Sequence, residues 1–391
     1  MTLKSNLKEE YSPLYFLASL GSGGLSVAFY MYIMFMVEHP KVPLATYDFI
    51  FPLLQRGDMI SLLIGFVLAL IIVFAFIHFR LLFWNLKEYK LFKNSAKFEA
   101  IKKTNDEVTL MAIPLTLAMS INVCFVLGAV FVPGLWSVVE YLFPFAIAAF
   151  VAVGVYGLKI YGEFIARLVT SGGFEFEKNS NFSQMIAVFA FSMVSVGLAA
   201  PGAMSHYVGV SAVALFLSIL FMILSIILLL KSMFLGFKSM YRYGISIEAT
   251  GSLWILIPIA TLLGIAFIRI SFGLVHNFAQ EPSSSFLFMF SSAIVSLQIV
   301  VGIFGYKIMK TLGYFDKYLY SNEKSVTTLG LICPGVAFFV FGMFFIYFGL
   351  LKNNVLEIFS LAYFIVLLPF VLVQIKTIMT FIKVTKKLLL A

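Results

Sequence analysis

Residues Leu329 to Met343 read LGLICPGVAFFVFGM. The stretch is apolar enough for the interior of a bilayer, yet Pro334 and Gly335 stand side by side in its first half. A proline removes a backbone donor, and its ring meets the carbonyl one turn earlier, here that of Gly330. Irregular backbone at membrane depth is tolerated where it is buried in protein or lines a watery cavity. The reading of this stretch therefore decides between a bundle of plain spans and a bundle with a built interior.

The rest of the chain supplies the setting. Of its 391 residues, 62% are hydrophobic and only 12% charged, about half the charged fraction of a soluble domain. Apolar segments of about 20 residues are candidate spans. Ten occur, near 12–36, 58–84, 108–134, 141–166, 182–203, 207–233, 249–275, 285–309, 326–350 and 355–382. No long polar stretch remains, so residues 1–391 read as a single all-α transmembrane domain. The N-terminal MTLKSNLKEE precedes an apolar run too long for a signal-peptide core and is expected to be retained. Cys124 and Cys333 each lie in an apolar run, without metal-ligand spacing or a disulfide framework.

The net charge of +9 raises the question of nucleic acid, but the basic residues sit in short loops between apolar runs. Of the 27 Lys and Arg, all but Lys41, Arg56, Lys352 and the intrahelical Arg269 fall at one set of loops and ends. That asymmetry is the positive-inside pattern. It places both termini in the cytoplasm of a multi-pass protein of a bacterial inner (plasma) membrane. The longest basic loop, about 87–106, reads first as a topology anchor and second as a contact for acidic lipid or a partner.

The helices alternate in character. Even ones are lipid-like, as in SLLIGFVLALIIVFAFIHF of the second and SAVALFLSILFMILSIILLL of the sixth. Odd ones carry small, polar or helix-breaking residues: YSPLYFLASLGSGGLS in the first, MAIPLTLAMSINVC in the third, FSMVSVGLAAPGAMS in the fifth and LIPIATLLGIAFIRIS in the seventh. The alternation predicts five hairpins, with a quasi-fivefold ring of inner odd helices around a pore and outer even helices facing lipid. Pro114, Pro258 and Pro334 recur seven to ten residues after Glu107, Glu248 and Lys324. With Cys333 and Gly335 they are candidate pore kinks, although a plain packing kink explains any one of them equally well.

The ten-helix odd/even pattern and the first-helix run YSPLYFLASLGSGGLSVAFY, carried by Tyr15, Phe16, Gly21, Gly23, Gly24 and Leu25, resemble the tellurite-resistance/dicarboxylate transporter family, which includes plant guard-cell slow anion channels. A proline in the ninth helix is the second point of likeness. The resemblance implies a quasi-fivefold pore, a homotrimer with one pore per subunit, a phenylalanine of the ninth helix plugging the pore, and permeation by anions. Cys333 stands where that family would place a phenylalanine before the proline, and Phe338 and Phe339 follow four and five residues after it.

No catalytic set is visible, so an enzyme is not expected, and neither is a cofactor. The four histidines, His39, His78, His206 and His276, are dispersed, without metal-ligand spacing on one helix. No phosphate-binding glycine loop with a lysine occurs. Permeation is the better reading. Ser22, Ser26, Thr116, Ser120, Ser192, Ser195 and Thr261 put hydroxyls on the odd helices, where they are expected to line the pore and donate to an anion. The middles of those helices lack Asp and Glu, which a cation path would more usually display. Arg269 reads either as an anion-attracting residue near the outer mouth or as a side chain snorkelling to the surface. Phe338 and Phe339 are the first candidates for an aromatic gate, and Phe189 and Phe191 the second; core or lipid contact is the competing reading for each. Lys159 and Glu163, four apart, are expected to neutralise each other.

The expected function is passage of small anions through a central, aromatic-gated pore. The alternatives are a secondary carrier or exporter of a dicarboxylate, sulfite or other oxyanion, and a membrane receptor or assembly subunit without transport. Small anions and membrane lipid are the expected partners, and nucleic acid is not.

Overall fold

A computed structural model describes residues 2–278 and 283–390. Ten of its helices are long and apolar enough to cross a membrane: α1 (Pro13–Met36), α2 (Met59–Phe92), α3 (Asn105–Phe131), α4 (Leu135–Ser171), α5 (Met185–Met204), α6 (Val208–Tyr243), α7 (Ile247–Asn277), α8 (Ser284–Thr311), α9 (Val326–Asn353) and α10 (Leu361–Leu389). Short helices at Tyr47–Leu54 and Ala96–Ile101 lie in the connections. Among the described residues the sole extended pairing is an isolated bridge between Leu3 and Leu390, where Lys4 N donates to Leu389 O at 3.0 Å and ties the termini together.

Each helix starts and stops for local reasons. Asp58 accepts from Ser61 N at 2.9 Å and opens α2, and Ser360 accepts from Tyr363 N at 3.2 Å and opens α10. Gly172 and Gly244 end α4 and α6 at φ of 69° and 74°, a backbone region that side chains resist. The even helices α2, α4, α6 and α10 run past their expected ends into the lysine-rich loops. Hydropathy marks the edge of the bilayer, and helix propensity does not stop there.

The prolines of the odd helices act at their starts. α3, α7 and α9 each begin as 3-10 helix, over Asn105–Met111, Ile247–Ile255 and Val326–Leu331. Each then becomes α-helical, and Pro114, Pro258 and Pro334 stand third in the α-helical segment. A missing N–H costs little in the first turn of an α-helix. The change of winding thus falls near one end of each span.

Odd and even helices differ sharply in burial. Within their most apolar windows, 61–94% of odd-helix residues are buried, against 22–33% of even-helix residues. α1 packs on α3, α3 on α5, α5 on α7, α7 on α9, and α9 on α1. Each odd helix also packs on the even helix that follows it.

Hydroxyls hold several of these pairs. Ser19, Ser22 and Ser26, one turn apart on α1, donate to the carbonyls of His78, Phe74 and Ile71 on α2 at 2.9, 2.7 and 3.0 Å. Ser195 of α5 donates to Ser218 O, and Ser218 of α6 returns a bond to Ser195 O, both at 2.9 Å. α9 meets α10 through glycine: a Cβ added to Gly342 would lie well inside van der Waals contact with Cδ1 and Cε1 of the Phe370 ring.

Overpacking a tight core costs roughly 1–3 kcal/mol, so Gly342→Ala is expected to lower stability by about that amount in a denaturant titration in mixed micelles. Gly65 of α2 has nothing within 4 Å of an added Cβ. Gly65→Ala should be neutral or stabilising, by up to about 1 kcal/mol from helix propensity.

Candidate functional site

A cavity of about 460 Å³ lies among α1, α3, α5, α7 and α9, with a side arm between α3 and α4. Each odd helix gives it one face at helical spacing. α5 presents Phe189, Met193, Val196 and Ala200; α7 presents Pro258, Thr261, Ile265 and Arg269; α9 presents Cys333, Val336, Val340 and Phe344. Residues three and four apart stack on one side of a helix, which is why these sets recur in such steps. α1 can approach closely because Gly21 and Gly24 face Ile332 and Val336 of α9, where an added Cβ would lie 2.8 and 3.0 Å from those side chains.

The cavity is one-sided. Toward the lysine-rich end its lining stops at Leu20, Met119, Phe189, Pro258 and Cys333. Beyond that level Phe16, Ile113, Met185 and Leu329 are buried core. Toward the other end the lining reaches Leu44 and Thr46 of the α1–α2 connection.

The lining is almost wholly apolar, with one charged member. The Arg269 guanidinium donates to Val196 O at 2.9 Å, and no carboxylate lies within 4 Å of it among the described residues. It does not snorkel. A Cβ on Gly273 would meet Gly202 O of α5 at 2.7 Å, which brings those two positions level. Arg269, one turn earlier on α7, therefore stands level with about Leu198, and its guanidinium reaches Val196, sideways across the helix interface. Val196 lies seven residues beyond Phe189, so the charge sits about 10 Å from the closed end at 1.5 Å per residue. Tyr30 of α1 also lines the cavity and donates to Ala45 O at 3.0 Å.

The predicted site residues divide. Arg269, Phe189, Pro258, Cys333 and Thr261 meet at the cavity. Phe338 and Phe339 do not. Phe338 packs at a tilt against Phe370 of α10, ring centroids 4.8 Å apart, and Phe339 is fully buried against Tyr32 of α1 at 5.1 Å. Phe191 turns away toward Phe221 and Tyr161, at 6.0 Å from each. The helical period explains this: five and six residues beyond Cys333 is the wrong angle for the face that carries Val336, Val340 and Phe344. Pro114 packs beside Gly157 of α4, and Pro334 and Gly335 sit on the outer side of α9 against α8 and α10.

Most of the hydroxyls expected in the lining bond other helices or their own backbone. Ser22 and Ser26 serve α2, as described. Thr116 donates to Ala112 O at 2.8 Å and approaches Phe16 O at 3.2 Å. Ser120 lies 3.0 Å from Thr116 O and 2.9 Å from His78 Nε2. Ser195 serves α6, and Ser192 is buried without a partner among the described residues. An odd helix has hydroxyl-bearing seams on either side of its cavity face, and composition alone does not separate them.

Two further readings change. His78 is wholly buried between α1 and α3, its Nδ1 2.8 Å from Ser19 O, so α2 is not apolar all round. Glu163 pairs with Lys102 at 3.8 Å, across to the basic loop, and no Lys159–Glu163 pair forms within 4 Å. The residues the sequence reading missed are Val27, Met193, Val196, Val336, Val340 and Phe344. Their signal was the i, i+3/i+4 stripe. On a helix that is apolar all round, that stripe produces no amphipathic contrast.

Comparison with known protein families, curated proteins and solved structures finds no match for this chain.

In a background lacking Cys124 and Cys333, single cysteines at Val336 and Val340 should react with a small water-soluble thiol reagent added from the lysine-poor side. Cysteines at Phe339 and Phe341, both fully buried, should stay unreacted for at least ten times as long. The readout is mass shift against time.

Proposed function

We propose that the protein passes small anions across a bacterial inner membrane, with both termini in the cytoplasm. The five odd helices form the inner ring of five hairpins, and the cavity between them is the path. The packing of each odd helix on the next, and of α9 on α1, supports that arrangement. The observation that carries the reading is Arg269, a guanidinium lining a shared apolar cavity with no carboxylate within 4 Å among the described residues. A unit charge attracts a monovalent anion at 4 Å by about 4 kcal/mol at an effective dielectric of 20 and repels a cation equally. An isolated positive charge in such a place therefore selects by sign. The likeness to the tellurite-resistance/dicarboxylate transporter family points the same way, and the homotrimer it implies is part of this proposal.

The gate is assigned to Phe189 at the closed end, with Met119 of the neighbouring α3 also in the lining there. An apolar constriction blocks ions by dewetting, and this ring is the aromatic side chain at the level where the lining stops. A carrier of a specific anion is the second reading. The one-sided cavity favours it, since alternating access requires a site closed toward one face. The two differ in electrical signature: a channel gives current with an anion gradient alone, and a carrier requires a second solute or an exchange partner.

Four variants test the path. In planar bilayers under a chloride or nitrate gradient, Arg269→Gln should lower anion conductance by roughly tenfold or more and move the reversal potential toward zero. Arg269→Lys should retain the sign of selectivity. Phe189→Ala should raise anion flux severalfold at equal membrane levels, whereas Phe338→Ala should leave it unchanged. Unaltered selectivity in Arg269→Gln contradicts the proposal.

A further inference from the structure

A second hollow, of about 670 Å³, lies on the outside of the helix bundle near the lysine-rich end. Its walls are α8 and α10, and its floor is the outer side of α9, with Pro334 buried and Gly335 and Phe338 half-buried between them. Trp254 of α7 closes one side and donates its indole N–H to Gly302 O at 3.1 Å.

The chemistry of the hollow is that of an amphiphile. Ile299 and Ile303 of α8 are 44% and 62% exposed along its rim, so an apolar surface is offered to whatever fills it. Lys310 of α8 and Lys376 of α10 enter from opposite walls, with Asp316 the one carboxylate among the described lining residues. Among the described residues neither lysine has a carboxylate within 4 Å. Lys310 lies instead 6.0 Å from the Tyr306 ring. Their neighbours are engaged: Lys317 pairs with Glu323 at 3.6 Å, Lys383 lies over Tyr320 at 4.5 Å, and Lys387 donates to the carbonyls of Tyr318 and Ser321. Thr377 and Thr380 add hydroxyls on the α10 wall. Gln298 is 1% exposed, its Nε2 donates to Thr261 at 2.6 Å, and its Oε1 has no partner among the described residues.

We infer that this hollow holds an anionic phospholipid of the leaflet at the lysine-rich end. The phosphate sits at Lys310, at the lysine-rich end of the hollow, with Lys376 extending its stem along the α10 wall toward it, and an acyl chain covers Phe338, Ile299 and Ile303. Basic pockets between transmembrane helices are suited to acidic headgroups, and long lysine stems carry their charge from the helix wall to the headgroup level. A free anion would satisfy the lysines and leave the apolar floor bare; a phospholipid satisfies both. Gln298 belongs to this hollow and bonds Thr261, which lines the central cavity. The lipid therefore rests against the wall of the proposed path. The inference depends on the membrane reading of the helices and not on the anion reading.

The test uses Trp254 as the reporter. The chain has three tryptophans, and Trp84→Phe with Trp136→Phe leaves Trp254 alone. The full-length protein is placed in nanodiscs of phosphatidylcholine carrying a small fraction of acyl-brominated phosphatidylglycerol or, in a parallel set, acyl-brominated phosphatidylcholine. Brominated phosphatidylglycerol should reach half-maximal quenching at roughly a tenth of the mole fraction needed by the neutral lipid. Lys310→Gln with Lys376→Gln should bring the two lipids together, and Lys310→Arg with Lys376→Arg should restore the preference. Equal quenching by both lipids in the parent protein would make the hollow ordinary bilayer contact and overturn the inference. Absence of quenching by either would mean that a second copy covers it, which also overturns the inference. So would a glutamine variant that keeps the phosphatidylglycerol preference.

Discussion

Polar groups buried between membrane helices find their partners within the protein or not at all. That constraint organises this molecule. The odd helices carry serines and threonines, and the bilayer offers these side chains no water. Most bond carbonyls within their own helix or on a neighbouring one: Ser19, Ser22 and Ser26 to α2, Ser195 reciprocally with Ser218, and Thr261 to Ile257 O and Ala337 O. Hydroxyls in the seams orient each odd helix about its axis. The face left over is apolar, and it lines the cavity.

This explains why the cavity among the odd helices is lined mostly by aliphatic and aromatic side chains and glycine. An apolar wall makes no strong bonds to a passing ion, and it raises the influence of any fixed charge in it. Arg269 supplies that charge. Its one described hydrogen bond, to Val196 O, fixes its depth without neutralising it. The glycines complete the design by letting helices meet closely: Gly21 and Gly24 bring α1 against α9, and Gly273 brings α7 against α5.

Much of the fold was legible in the sequence. The ten spans and the buried character of the odd ones followed from run length and from the contrast between GSGG-bearing and leucine-rich segments. The angular position of each residue did not follow. Phe338 and Phe339 looked like a gate because they follow a proline, yet Pro334 stands at the start of its α-helix, and the winding beyond it turns both rings away from the cavity. Ser22 and Ser26 are polar, but a hydroxyl on an odd helix serves a helix–helix seam as readily as a cavity, and both donate to α2. Arg269 and Phe189 reach the cavity from different starting points. An arginine inside a span has few neutral explanations, whereas Phe189 was one candidate among 45 phenylalanines, and the fold placed it where the cavity closes.

The central claim is that an anion rests in the cavity beside Arg269. Anomalous diffraction from crystals grown in bromide measures this directly. A bromide peak within about 4 Å of the guanidinium, absent in Arg269→Gln, is the predicted result. A cavity without bromide at saturating concentration, or one occupied by rubidium in its place, would contradict it.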